Sequence, residues 1–369
     1  MSLSVGIVGL PNVGKSTLFN ALLKRQAAYV ANFPFATIEP NVGVVPVPDG
    51  RLDQLAQVVG TSVIKPATVE FVDIAGLVKG AHLGEGLGNQ FLSHIREVSV
   101  ICHVVRAFED ANIIREGAVG PVEDLLTVRT ELQLADLATL EKQVEPKGRA
   151  DKEAKDRWQV VGELTQALSQ GKQASEVISG QHGEAERKKY QFIVKELSLL
   201  TAKPELIVIN VGEDQLGSNS IDQLSDQSAQ LLNEPREKVV VMCNKIESEL
   251  SSLSDEDQKL YLKDLGIDRP GLERLIAGAY QTLGLQSFLT AGVKEVRAWT
   301  IPVGTTARKA AGVIHTDFER KMIAVNVVEY NEFIRLGGWK RAKEAGKLRT
   351  EGREYLMQEG DVVEFLIGS

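Results

Sequence analysis

Residues 9–17 read Gly9-Leu10-Pro11-Asn12-Val13-Gly14-Lys15-Ser16-Thr17, a G-x-x-x-x-G-K-[ST] run between an apolar stretch at 5–8 and a leucine-rich stretch at 18–23. That context decides the fold. A glycine loop between a strand and a helix turns backbone N–H groups onto phosphate oxygens, and the helix N-terminus adds a partial positive charge. Asn12, Val13, Gly14, Lys15, Ser16 and Thr17 are therefore expected to hold a nucleoside triphosphate. Lys15 belongs against the β- and γ-phosphates, and Ser16 on Mg2+.

Further along the chain, Asp73-Ile74-Ala75-Gly76 closes a mostly apolar run, where a GTPase places the aspartate of its metal site. Asp73 is expected to hold Mg2+ through water, and the Gly76 N–H to meet the γ-phosphate. D-x-x-G alone is a weak signal, and its position at a strand end strengthens it. Between the two motifs lies Phe33-Pro34-Phe35-Ala36-Thr37, whose Thr37 is placed to close on Mg2+ when triphosphate binds.

β-branched runs at 42–47, 69–74 and 100–105 alternate with glycine turns and helical stretches, the signature of an α/β domain. From about 125 to 203 the chain becomes rich in Ala, Leu, Glu and Lys. Apolar residues there recur three or four apart: Leu134, Leu137, Leu140 and Val144; Val160, Leu164 and Leu168; Ile193, Leu197 and Leu200. This predicts an antiparallel helical hairpin inserted into the α/β domain, with breaks at 146–149 and 180–183. Strand-like sequence resumes at 206–211 and 239–243, and after Gly284 short β runs predict a small α+β domain. The expected division is 1–280 and 281–369.

At 369 residues the chain is long enough for two domains, and 43% hydrophobic with 25% charged residues is ordinary for a globular protein. No apolar run approaches the roughly 20 residues of a membrane helix, so no membrane partner and a cytoplasmic location are expected. Cys102 and Cys243 each sit in a β-like run and read as buried thiols. The net charge of -8 argues against a surface that coats polyanions throughout. From Gln281 onward, however, 13 Lys and Arg face 11 Asp and Glu. Basic residues cluster as Lys340, Arg341, Lys343, Lys347, Arg349 and Arg353, which reads as a solvated helix face before it reads as an RNA site.

GTPases read guanine with N-K-x-D after a later strand. Two stretches compete for that role: Asn210-Val211-Gly212-Glu213 and Asn244-Lys245-Ile246-Glu247. The second is closer by letters. Yet a further base-contacting loop must follow one helix and one strand later, and nothing suitable follows Glu247. Asn210, Val211 and Glu213 are therefore the expected reader, with Cys243 and Asn244 as the second loop. Glu213 is one methylene longer than Asp, and Val211 replaces the Lys that covers a guanine, so ATP is the expected nucleotide.

The stretches 6–21 (GIVGLPNVGKSTLFNA), 32–41 (NFPFATIEPN), 71–80 (FVDIAGLVKG), 84–91 (GEGLGNQF) and 290–303 (TAGVKEVRAWTIPV) closely resemble the YchF/Obg-like ATPase family of translation-factor-related P-loop proteins. The resemblance covers essentially the whole chain. It implies a Ras-like G domain interrupted by an α-helical coiled-coil arm and followed by a TGS domain. It also implies ATP hydrolysis with weaker GTP use, a monomer, and a regulatory role in translation or stress through the ribosome. Asn12 matches the position at which potassium-activated relatives of Ras hold a cation, so K+ is expected beside the phosphates. Leu77 stands where Ras-type enzymes orient water with Gln, and Arg115 where many relatives carry a His implicated in hydrolysis. Arg115 reads either as an arginine finger or as a solvated loop residue. A GTP-specific translation GTPase and a nucleotide-binding scaffold with negligible turnover are the alternatives.

Overall fold

The computed structural model describes residues 3–32, 41–74, 87–109, 120–147, 151–218 and 220–368. Thr37, Gly76, Leu77 and Arg115 lie outside the described residues. The strands are β1 (Ser4–Val8), β2 (Val42–Pro46), β3 (Ile64–Lys65), β4 (Thr68–Asp73), β5 (Val100–Arg106), β6 (Glu205–Asn210), β7 (Val239–Met242), β8 (Leu285–Ala291), β9 (Val296–Pro302), β10 (Met322–Glu329), β11 (Arg349–Glu351) and β12 (Asp361–Ile367).

Contacts group these elements into two compact units. One comprises the residues up to Gly43 with Glu70–Leu275, the other Val44–Val69 with Ile276–Ser369. A six-stranded sheet runs β2-β4-β1-β5-β6-β7, with β1, β5, β6 and β7 wholly in the first unit and β2 and β4 straddling its bounds in sequence. β1 lies parallel to β4 and β5, and β6 parallel to β5 and β7. Every residue of β1, β5, β6 and β7 is buried, as in parallel sheets covered on both faces. This is why those strands read as continuous apolar runs. The order reverses direction at β1, and at such a switch point the carboxyl ends of neighbouring strands open a crevice. The loops that follow β1, β5, β6 and β7 therefore share one end of the sheet.

The insertion is helical, and it resolves into four helices rather than a two-helix hairpin: Pro121–Leu140, Lys152–Ser169, Ala174–Ser179 and Glu184–Glu196. Turns at Gly171 and Gly183, both with positive φ, divide the second half. Pro121 and the acidic Glu123 and Asp124 suit the first helical turn. Leu140, Val160, Leu164, Leu168, Tyr190 and Ile193 bury one another in a local core. Val144, expected in the apolar stripe, lies beyond the first helix and is 78% exposed. Fully buried Asp136 ties the base of the insertion by accepting from the N–H groups of Leu200 and Thr201 at 2.8 Å each and from the Thr201 hydroxyl at 2.7 Å.

In the second unit a sheet runs β11-β10-β12-β8-β9-β3. β8 and β9, β10 and β12, and β10 and β11 pair antiparallel, while β12 lies parallel to β8. Ala307, Ala310 and Ala311 of the helix Ala307–Ile314 are fully buried among Phe288, Ile301 and Val325, the small side chains allowing close helix–sheet approach. The segment 44–69 contributes β3, which pairs with Val296 and Arg297 of β9. It also contributes the helix Arg51–Val59, which buries Leu52, Leu55 and Ala56. Arg51 completes its guanidinium contacts within this unit, on Asp49 at 2.8 Å and Glu359 at 2.6 Å.

Candidate nucleotide site

The loop between β1 and the helix Lys15–Asn32 has a backbone that only particular residues adopt. Gly9 has φ +154° and Gly14 φ +101°, and a Cβ at either would lie 2.4 Å from the Val104 carbonyl oxygen or 2.3 Å from Asn210 Nδ2. Asn12, at φ 60°, is the residue type that enters the left-handed region most readily after glycine. Lys15 folds back over the loop, its Nζ donating to the Gly9 carbonyl at 2.9 Å and the Leu10 carbonyl at 2.7 Å. Burial lowers the Lys15 pKa, and the Asp73 carboxylate opposes that shift. Burial in turn raises Asp73, opposed by Lys15. The two charges thus interact across one site, with Asp73 held at the end of β4 opposite Ile7 by a hydrogen bond from its N–H to the Asn41 carbonyl at 3.0 Å.

β6 and β7 deliver the remaining walls. Asn210, 5% exposed, donates from Nδ2 to the Val13 carbonyl at 2.9 Å and accepts from the Asn244 N–H at 3.0 Å. Asn244, 1% exposed, donates from Nδ2 to the Gly14 carbonyl at 3.0 Å. Two asparagines, one ending β6 and one just beyond β7, therefore fix the carbonyls of Val13 and Gly14 in the glycine loop. The result is a cavity of about 610 Å3 lined by residues 14–17, 210–214 and 243–245 with Asn12, Phe108 and Glu109. At its margin Glu213 and Lys245 form an ion pair of 2.6 Å.

The expected reader, its second loop and the phosphate loop thus come together in one cavity. Val13 does not line it, since its side chain is buried and only its carbonyl serves, on Asn210. Glu247 is directed elsewhere: its buried carboxylate accepts from the N–H groups of Gly271 at 2.6 Å and Leu272 at 3.1 Å, capping the helix Gly271–Thr282. That fold-internal task accounts for its resemblance to the last letter of N-K-x-D without a place in the cavity.

Phe108, Glu109 and Asp214 are cavity residues that the sequence did not single out, whereas Lys245 follows Cys243 and Asn244 in the expected second loop. The first two follow β5, and the end of a parallel strand next to the glycine loop was a signal available in the chain. Among the described residues no group of three His, Cys, Asp or Glu is poised to hold a metal. Ser16 and Asp73 could supply hard oxygen donors of the kind Mg2+ takes, since that ion keeps waters and phosphate oxygens as its other ligands. No helix among the described residues is long and apolar enough to cross a membrane.

Two family models match the chain. Residues 4–128 match one described as a 50S ribosome-binding GTPase, and residues 285–368 match the YchF GTPase C-terminal family, described as a protein of unknown function. The chain is 46% identical to the ribosome-binding ATPase YchF of Bacillus subtilis over 370 residues, covering 99% of each. It is 49% identical to the protein of the same description from Escherichia coli O157:H7, again over 99% of each chain. Among solved structures it is similar to the Schizosaccharomyces pombe YchF GTPase, with a TM-score of 0.84, 35% identity, and 99% and 98% of the two chains covered.

Proposed function

The chain belongs to the YchF family, and on that premise we propose that it is a Mg2+-dependent ATPase that associates with the ribosome as a regulatory switch in translation or stress. One observation carries the reading: the phosphate loop, residues 210–214 and residues 243–245 line a single cavity.

In it, Lys15 would exchange its two loop carbonyls for β- and γ-phosphate oxygens, contacts that strengthen as charge moves in the transition state. Ser16, Asp73 and Thr37 would hold Mg2+, which supplies charge neutralisation and in-line orientation of the triphosphate. Asn12 would hold K+ beside the phosphates, and the Gly76 N–H would meet the γ-phosphate. Arg115 would act as an arginine finger in cis, an assignment that an unchanged kcat in Arg115→Ala removes.

Preference for adenine follows from the cavity margin. Guanine presents N1–H and a 2-amino group to a free carboxylate, and adenine presents neither. The Glu213 carboxylate is partly neutralised by Lys245, and its extra methylene spoils the bidentate geometry an Asp would offer. Competition of ATP and GTP for a fluorescent analogue, with turnover measured with and without ribosomes, tests the reading. Tighter GTP binding would favour a GTP-specific translation GTPase, and absent turnover in both conditions a nucleotide-binding scaffold.

A further inference from the structure

The helical insertion shapes a second concave surface within the first unit. Where the helix Glu184–Glu196 returns towards β6, a cavity of about 450 Å3 is lined by the cations Arg96, Lys195 and Lys203 and by the hydroxyl-bearing Ser175, Ser179 and Ser198. Among the described residues no carboxylate lines it, in a chain whose net charge is -8. The buried Asp136 acts on Lys203 and Arg96 through its charge, while its oxygens accept hydrogen bonds from Leu200 and Thr201. Lys203 is positioned rather than loose: its Nζ donates to the carbonyls of Arg96, at 3.0 Å, and Val98, which leaves the third ammonium proton for a ligand.

On the same helix Phe192, 67% exposed, follows the cavity residue Gln191 and stands three residues before Lys195, a spacing that sets neighbouring side chains on the helix surface. A large aromatic face in water next to clustered cations and hydroxyls is the combination that takes a phosphate and stacks an unpaired base. In the more basic C-terminal cluster several of the cations are already engaged. There Lys347 approaches Glu332 at 4.0 Å, Arg349 pairs with Glu351 at 3.3 Å, and Arg353 donates to the Met322 carbonyl at 2.7 Å.

We propose that the cavity at the foot of the helical insertion seats a backbone phosphate of an RNA strand, with Phe192 stacking on a base beside it. This deepens, and rests on, the ribosome association proposed above. Serine hydroxyls and ammonium groups match non-bridging phosphate oxygens, and an acidic peptide would make no use of the exposed ring.

The test uses the full chain, a short fluorescently labelled single-stranded RNA and purified ribosomes. Lys195→Ala and Phe192→Ala alter exposed side chains outside the nucleotide cavity, so basal ATP turnover is expected to stay unchanged. Lys195→Ala should weaken RNA binding and flatten the dependence of log K on log salt by about 0.7. Phe192→Ala should weaken it by about fivefold or more without changing the salt slope. Wild-type affinity in both variants would overturn the proposal, as would tighter binding of polyglutamate than of RNA. If no form pellets with ribosomes while RNA affinity still depends on Lys195 and Phe192, the ribosome reading fails and the RNA site stands. If all forms pellet equally and bind RNA equally, the site fails and the ribosome reading stands.

Discussion

Asn210, the last residue of β6, donates from Nδ2 to the Val13 carbonyl of the glycine loop at 2.9 Å across 197 positions of sequence. The same side chain accepts from the Asn244 N–H, so the ends of β6 and β7 and the glycine loop after β1 form one hydrogen-bonded frame. Asn210→Ala leaves both partners unpaired in a buried place, at a cost of about 1–3 kcal/mol. Affinity for ATP and GTP should fall alike by about tenfold. A change confined to one nucleotide, read by fluorescent-analogue competition, would argue that Asn210 contacts the base instead.

Lys15→Ala and Ser16→Ala are expected to abolish ATP turnover while the fold survives, because neither side chain packs a core. Circular dichroism and phosphate release on the purified variants check both halves of the statement. Normal turnover in either would remove the phosphate-site assignment.

Selectivity should respond to the cavity margin and not to the capping carboxylate. Val211→Lys with Glu213→Asp is expected to shift preference towards GTP. Glu247→Gln weakens the cap of the helix Gly271–Thr282 and should lower stability by about 1 kcal/mol with selectivity unchanged. The reverse pattern, selectivity moved by Glu247→Gln and untouched by the double change, would refute the assignment of the reader.

Asn12 predicts cation dependence. Turnover should be faster in K+ than in Na+ at equal ionic strength, and Asn12→Ala should abolish the difference. Equal wild-type rates in the two salts would eliminate the K+ site.

Acid should unlock a buried network. Burial alone pushes the Glu205 carboxyl up, but His103 at 3.2 Å and Arg129 bring it down to about 2. Its stabilisation is therefore complete above the unfolded carboxyl pKa of about 4.3 and is lost as pH falls towards about 2. Glu205→Gln should cost about 3 kcal/mol at neutral pH, and the gap to the wild type should close in strong acid. Denaturant unfolding at several pH values measures this, and a gap independent of pH would rule the linkage out.

Much of the fold was legible because its signals are local. The phosphate loop needs glycine at defined positions between a strand and a helix, and Asp73 must end a strand beside it, so residue type and spacing suffice. The helical texture of the insertion was likewise a matter of period. Its division into four helices was less visible, since the stripe through Leu134 and Val144 continues in sequence where the helix Pro121–Leu140 has already ended.

Residue type and spacing were enough for the α/β class, the glycine loop between β1 and its helix, and the family. Tertiary structure alone decided that residues 44–69 group with the C-terminal unit, that Glu247 caps a helix, that Lys245 pairs with Glu213, and that Asn210 and Asn244 hold the phosphate loop. The difference is one of range. Periodicity and turn chemistry report on neighbours within a turn or two of chain, whereas these contacts are made by polar side chains whose partners lie far away in sequence. Only the folded sheet, by stacking the carboxyl ends of β1, β5, β6 and β7 at one end, brings such partners within hydrogen-bond reach.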